Sequence, residues 1–448
     1  MDVLTFRTPG LGDQTYLLVH EGQGVLVDPQ RDIDRFLDAT AEQDVELRFV
    51  LDTHLHNDYV SGAEQAARTT GAQLVLPAAA APAYPSMPAF HLEDIPGGAL
   101  TIRPIHTPGH TPEHTSYLVL VEGEPAALFS GGSLLVASAG RPDLLGEERA
   151  RTMATLQHQS LHRLAELPES LELFPTHGQG SFCTASGAGR YTSTVGQERR
   201  ENPLLAIPTV EEFVDQLLGS AMPIPAFYKF MGPTNTLGVP AMPDHDVPEM
   251  SVDDIAAQPD GTRVVDVRPR AEQAAGILPG SLAIEVSTDF GSWAGWLVPR
   301  TSPIMLVAGP DQDITEPVVQ LAQIGVDSVV GVVRDLPADR ASVGFELVDI
   351  DRFRALMAEP DAQVLDVRMP SEWAAASIEG SIRRFLPDLL TDGVPAELDA
   401  DRPVLIACRT GRRASIAAGV LANAGYRAVV LDEVGVPDVV DQAAADAA

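Results

Sequence analysis

The chain has 448 residues, 45% of them hydrophobic, more than one ordinary domain holds and enough for several buried cores. Its net charge of −33 leaves little basic surface for neutralising phosphates, which excludes nucleic acid as an expected partner. No apolar run reaches the ~18–20 residues of a membrane span, and residues 1–10 lack a basic flank with an apolar stretch, so no membrane partner and a cytoplasmic location are expected. The two cysteines, Cys183 and Cys408, make no disulfide framework, so each is either a buried hydrophobe or a reactive thiol.

In chain order, strand-like runs over Thr15–Val19 and Val25–Val27 open the N-terminal half, and a glycine-rich stretch at 178–189 closes it. Histidines fall in three segments between. Thr53-His54-Leu55-His56-Asn57-Asp58-Tyr59 follows the strand-like run Arg48–Leu51; then come His106-Thr107-Pro108-Gly109-His110-Thr111 and Thr176-His177-Gly178. Each lies between an apolar run and a glycine- or proline-containing turn, the kind of loop that carries ligands. Imidazole suits zinc and iron, and a carboxylate adds charge balance. A hydrogen-bonding role is the alternative for any single histidine, above all His106, His114 and His177. Cys183, soon after His177, is either a sulfur-accepting thiol at the pocket or a partly buried small hydrophobe.

Residues 203–245 are rich in proline and glycine and predict a linker with one short helix near Val210–Leu218. Beyond it a repeat runs at an offset of 100 residues. Asp266-Val267-Arg268 recurs as Asp366-Val367-Arg368, Gly280-Ser281 as Gly380-Ser381, and Leu321-Ala322 as Leu421-Ala422. In the second copy, strands are predicted at Gln363–Val367, Pro403–Ala407 and Arg427–Leu431, with a helix over Arg412–Ala424 stopped by Gly425. Alternation of this kind predicts α/β domains with parallel sheets.

Cys408 ends a buried-type strand and is followed by Arg409-Thr410-Gly411-Arg412-Arg413 before the helix. A short loop there turns backbone N–H groups inward, and with the helix dipole and three arginines it favours an anion, hence a thiolate or persulfide. The first copy has Ala308 at the matching position, followed by Gly309-Pro310-Asp311, and so has neither thiol nor arginine cradle.

Asp366-Val367-Arg368, Glu372-Trp373, Gly380-Ser381-Ile382 and the Cys408–Arg413 loop together resemble the rhodanese sulfurtransferases across residues 346–435. The resemblance implies that Cys408 accepts sulfane sulfur and passes it on, with residues 409–413 as the cradle. The first copy looks like an inactive rhodanese domain. The chain departs from that family in having Ala376-Ser377-Ile378 for Gly-His-Ile and in lacking a Gly-Gly stretch around Glu433–Val436.

Over residues 1–200, His54-x-His56-x-Asp58 with His110 and His177 resembles the metallo-β-lactamase fold. The two halves together resemble persulfide dioxygenase–rhodanese fusions, as do Arg141-Pro142-Asp143-Leu144-Leu145 and the run Gly178–Cys183. That resemblance implies one mononuclear Fe(II) per chain, with zinc the alternative, oxidising a low-molecular-weight persulfide to sulfite. His54, His110 and an aspartate would hold it, with Arg141 and Cys183 binding substrate. The aspartate, however, belongs where Ser130-Gly131-Gly132-Ser133 supplies Gly132, and Tyr59 replaces a histidine of two-metal members. Three outcomes stay open. His56 completes a three-histidine site; Asp58 or another carboxylate substitutes, with His177 a further candidate; or no metal binds and a sulfurtransferase remains. A glyoxalase II-like thioester hydrolase is the rival chemistry.

The expected fold is therefore a multi-domain α/β chain. An N-terminal αββα sandwich (1–202) and the linker (203–245) precede two rhodanese-like domains with parallel sheets, inactive (246–343) and active (344–448). Small persulfides and thiols, and a second copy of the chain, are the expected partners.

Overall fold

Alternation along Tyr16, Leu17 and Leu18 sets the architecture of the N-terminal half, because successive strand side chains face opposite ways. Tyr16 and Leu18 enter a core with Val25, Phe49, Ile102, Tyr117 and Phe129, whereas Leu17 joins Leu26, Phe36, Val50 and Ala66 on the other side. The computed structural model describes residues 1–184, 190–220, 222–243, 246–334 and 336–446. Residues 185–189 of the glycine-rich stretch and 244–245 of the expected linker lie outside the described residues.

The first sheet runs in sequence order through Asp2–Thr8, Asp13–His20, Gln23–Val27, Glu46–Leu51, Gln73–Pro77 and Met87–Ala89. The second is ordered Ser193–Thr194, Glu172–Pro175, Glu124–Gly131, Thr115–Val121, Leu100–His106 and Ile95–Gly97. Their inner faces share one core. Helices Asp34–Glu42 and Ala63–Thr70 cover the outer face of the first sheet, and Glu147–Ala165 and Val210–Gly219 that of the second. This is the αββα sandwich. Among the described residues no helix is long and apolar enough to cross a membrane.

The segment read as a linker is largely structured. It carries helices Val210–Gly219 and Tyr228–Leu237, and one compact unit spans Met1–Pro243 together with Ala322–Gly325. Phe213, Val214 and Leu217 fall on one helical face and are buried against Leu161 and Leu164. Burying each such side chain contributes roughly 1.5–3 kcal/mol, which outweighs the breaking tendency of the flanking prolines. Proline frequency misdirected the sequence reading because the prolines sit between the helices, save Pro233.

The second unit, Asp244–Leu321 with Val326–Ala448, holds two all-parallel sheets. One is ordered Leu282–Ala283, Arg263–Asp266, Ile304–Val307, Val329–Val333; the other Glu346–Val348, Ala428–Leu431, Val404–Ala407, Gln363–Asp366, Ile382–Arg383. The offset of the sequence repeat carries over strand by strand. Asp266 and Asp366 each bind the arginine two residues on, and those arginines donate to the equivalent carbonyls of Gly276 and Ala376. The repeated Asp-Val-Arg is thus a brace inside each copy.

Candidate functional site

The histidine segments leave strand ends at one edge of the sandwich: His54 and His56 after Glu46–Leu51, His110 after Leu100–His106, His177 after Glu172–Pro175. All four rings are buried. Candidate ligand atoms of His54, His110 and His177 lie within 4.8 Å of one another.

Their orientation follows from their partners. The Thr53 hydroxyl donates to Asp28 Oδ2 (2.8 Å), so at 2.9 Å it accepts from His54 Nδ1–H. His110 Nδ1–H donates to the Arg141 carbonyl (2.9 Å) and His177 Nδ1–H to Asp13 Oδ1 (2.7 Å). Each ring therefore turns an Nε2 lone pair inward. His110 Nε2 is buried without a partner, and the Nε2 atoms of His54 and His177 stand 3.4 Å apart. Burial, reinforced for His54 by His56 and for His110 by His177, holds those two imidazoles well below the usual histidine range; burial also lowers His177. Neutral imidazoles are the form that binds metal.

His56 faces elsewhere. Its Nε2 lies 3.2 Å from Asp28 Oδ1 and 3.0 Å from the Tyr59 hydroxyl, and its ring stacks on Tyr59. Burial alone would lower this imidazole, but Asp28 overrides it and raises it to about 9. The expected trio of His54, His56 and His110 is therefore not the one brought together; His177 takes the third place. His56 Nδ1, buried and unpartnered, groups with Asp58 and His177 instead. His114 spends both ring nitrogens, on the Thr107 hydroxyl and the Gly132 N–H.

Arg141, expected to meet substrate, is buried and committed to protein partners. It chelates Asp143 at 2.7 Å through two nitrogens and donates to the Phe182 and Met222 carbonyls. Its role is to fix the carbonyl that holds His110. Cys183 is fully buried and donates to Asp58 Oδ2 at 3.3 Å. Burial, then Asp58 and Asp13, push its thiol well above the ordinary range, which disfavours the thiolate a nucleophile needs. Asp58 itself is raised to about 7 by burial and by Asp13.

Two residues central to this edge were missed in the sequence. Asp28, in a left-handed conformation (φ 52°) after the strand Gln23–Val27, accepts from the Thr53 N–H and from the Thr53 and Thr176 hydroxyls. An acid between a strand end and Pro29 was a usable signal. Asp13 gave none, because only the folded sheet brings it to His177.

In the second unit Cys408 ends the strand Val404–Ala407 and is 1% exposed. Gly411, at φ 85°, turns the chain into the helix Arg412–Asn423, whose first-turn N–H groups lack partners within the helix. Arg413 is buried and paired with Glu372 through two contacts, while Arg409, Thr410 and Arg412 are exposed. The absent Gly-Gly stretch is compensated. Glu433 adopts the left-handed conformation itself (φ 64°), and Gly435 packs so closely that a Cβ there would lie 2.3 Å from the Arg409 carbonyl.

The copy with Ala308 also reaches this loop. Arg270 donates to the Thr410 carbonyl (2.9 Å) and pairs with Asp432 (3.1 Å), and Arg412 pairs with Asp289 (3.2 Å). A Cβ on Gly411 would come 2.6 Å from Arg270 Nη1, so the glycine serves both the turn and this clamp.

Glu372 gives a stability prediction. Burial would raise its carboxyl, but the Arg413 guanidinium holds it below the ordinary 4.5. A depressed carboxyl stabilises the fold above the unfolded value and loses that contribution as pH falls through the folded value. Glu372→Gln should cost about 1–3 kcal/mol at pH 7 and clearly less near pH 3, read by denaturant unfolding at both. An equal cost at both would show that the pair's charge is not the cause.

Residues 9–177 match the family described as the metallo-beta-lactamase superfamily. A hydroxyacylglutathione hydrolase of Pseudomonas entomophila is 32% identical over 213 residues, covering 40% of this chain and 76% of that protein. The chain belongs to the metallo-beta-lactamase superfamily. A second superfamily relative, the hydroxyacylglutathione hydrolase of Methylobacillus flagellatus, is 34% identical over 164 residues, which cover 36% of this chain and 60% of that protein. The crystal structure of a metallo-beta-lactamase from Staphylococcus aureus subsp. aureus COL superposes with a TM-score of 0.67 at 25% identity, covering 75% of this chain and 99% of the other. Residues 349–439 match the rhodanese-like domain family. The superfamily domain and the rhodanese-like domain together indicate an enzyme that uses a metal, with iron or zinc undetermined.

Proposed function

We propose that this chain is a sulfur-metabolism enzyme that oxidises low-molecular-weight persulfides at the histidine centre and moves sulfane sulfur through Cys408. The observation that carries the reading is the joint presence, on one chain, of inward-turned neutral imidazoles and a cysteine at a strand–helix junction. The imidazole set fits a divalent cation, with His54 and His110 as ligands beside a third histidine. Bound there, iron would supply the redox chemistry that lets O2 react with a persulfide. The overall balance is persulfide plus O2 plus water giving thiol, sulfite and two protons. The chain's own part is to fix the rings through Thr53, Asp13 and the Arg141 carbonyl, and to keep bulk water out by burying them.

At the second site the Cys408 thiolate attacks the outer sulfur of thiosulfate. The new S–S bond forms on Cys408 as the old one breaks, and sulfite leaves with the electron pair. Cradle N–H groups and Arg413 hold the resulting persulfide anion. Arg270 is a positioning residue in this scheme. Arg270→Ala should lower kcat for sulfur transfer about tenfold with little change in KM, read in a thiosulfate–cyanide assay. An unchanged kcat would remove the clamp from the reaction.

The deciding experiment is O2 uptake and sulfite formation by the anaerobically purified, iron-loaded protein with glutathione persulfide. No uptake sinks the oxidation half. A second reading, zinc-dependent thioester hydrolysis, draws on the similarity to hydroxyacylglutathione hydrolases. Turnover of S-lactoylglutathione by the zinc form, without persulfide-dependent O2 uptake, would replace the first reading with it.

A further inference from the structure

Gly132 and Gly140 shape the centre as well as omitting side chains from it. A Cβ on Gly132 would fall 2.3 Å from His110 Cδ2, and one on Gly140 would fall 1.9 Å from the Gly132 carbonyl and 2.9 Å from His110 Cγ. The backbone has closed onto the imidazole, and the ring occupies the space that any side chain at 132 would enter first. On the opposite side His177 approaches His54, Nε2 to Nε2, at 3.4 Å.

The hydrogen-bond inventory shows what this arrangement requires. The Nδ1–H of each ring is already donated, to the Thr53 hydroxyl, the Arg141 carbonyl and Asp13. Three lone pairs therefore converge in a space closed to water, two of them at a separation where they repel. The third, on His110, has no partner at all. A cation among them relieves all three.

We infer that the metal face consists of three imidazoles, His54, His110 and His177, and that Gly132 and Gly140 are the residues that make room for it. The assignment deepens the metal-centre reading given above and rests on it. His56 stays outside, with its Nε2 on Asp28 and Tyr59. Asp13 acts from behind, on His177 Nδ1, where it orients the ring. Three neutral ligands leave a divalent cation its full double charge. The face therefore favours an anionic co-ligand, a thiolate or persulfide anion, over a neutral thioester.

The test uses Co(II) added to metal-free protein, followed by visible absorption and X-ray absorption at the cobalt edge. Wild type is expected to bind stoichiometrically, with scattering from three imidazoles and no protein carboxylate. His177→Gln should bind at least ~10-fold more weakly. So should Gly132→Asp, although it adds a potential ligand, because its Cβ displaces His110. Gly132→Ala, which adds only the methyl, should weaken binding in the same direction and separates crowding from charge. Full affinity in His177→Gln, or affinity equal to or above wild type in Gly132→Asp, overturns the assignment. If a variant fails to fold, the wild-type spectrum decides alone: two imidazoles with a carboxylate, or no binding, overturns it. None of these readouts involves persulfide or O2, so persulfide oxidation can fail while the ligand set stands.

Discussion

Replacing Cys408 by serine is expected to lower sulfur transfer from thiosulfate to cyanide by about 10³-fold or more. The substitution changes one atom at a site that is 1% exposed and ends a fully buried strand, so the fold should tolerate it. The chemistry should not. A serine hydroxyl stays protonated near neutral pH and does not hold sulfane sulfur, whereas the proposed transfer needs a sulfur atom at this strand–helix junction. Thiocyanate formation, with the unfolding temperature as a control, measures the effect. Substantial residual turnover in a folded Cys408→Ser protein would move the sulfur-carrying role elsewhere. Cys183 is a poor candidate for it, as a buried thiol held protonated against Asp58.

The second large effect belongs to the histidine centre. His54→Gln and His110→Gln should each cost the bound metal at least ~10–100-fold in affinity and take persulfide-dependent O2 uptake with it. Sulfur transfer, proposed to run at Cys408 without the histidine centre, should persist. Metal analysis of anaerobically purified wild type and variants reads the first effect and an oxygen electrode the second. Iron in wild type, lost from both variants along with O2 uptake, is the expected result. Zinc in its place would turn attention to hydrolysis, and a wild type without metal would leave Cys408 as the sole reaction centre.

Local chemistry made the strand-end histidines and the cysteine loop legible in the sequence. The second-copy strands and helix lie within one or two residues of where alternation and helical spacing put them, because short buried strands and an alanine-rich helix advertise their periods. The αββα layers came through the histidine motif rather than through periodicity. What the sequence hid was relational. Whether His56 or His177 stands beside His54 and His110 depends on Asp28, which draws His56 away, and on Asp13, which aims His177 inward. Asp28 lies just past the strand Gln23–Val27, and Asp13 opens a strand 164 residues before His177. Arg141 was expected to meet substrate from the resemblance of its Arg-Pro-Asp-Leu-Leu run alone, and it is buried against Asp143 and backbone carbonyls. The helix Val210–Gly219 was legible, within a residue of the expected Val210–Leu218, but Tyr228–Leu237 was hidden because prolines dominate the local composition while a few apolar residues determine the packing.

The contact between Arg270 and the Gly411 turn ties the history of the two copies together. The copy with Ala308 where the other has Cys408 has no thiol of its own to constrain its sequence. It is constrained all the same, because a Cβ at 411 would make the Arg270 guanidinium shift, and losing the arginine at 270 releases the Thr410 carbonyl. Inheritance should therefore act on the pair. Positions 270 and 411 should change together or not at all across descendants of this chain, and a chimera taking its thiol-less copy from a distant lineage should fold yet work poorly until position 270 is matched to its new neighbour.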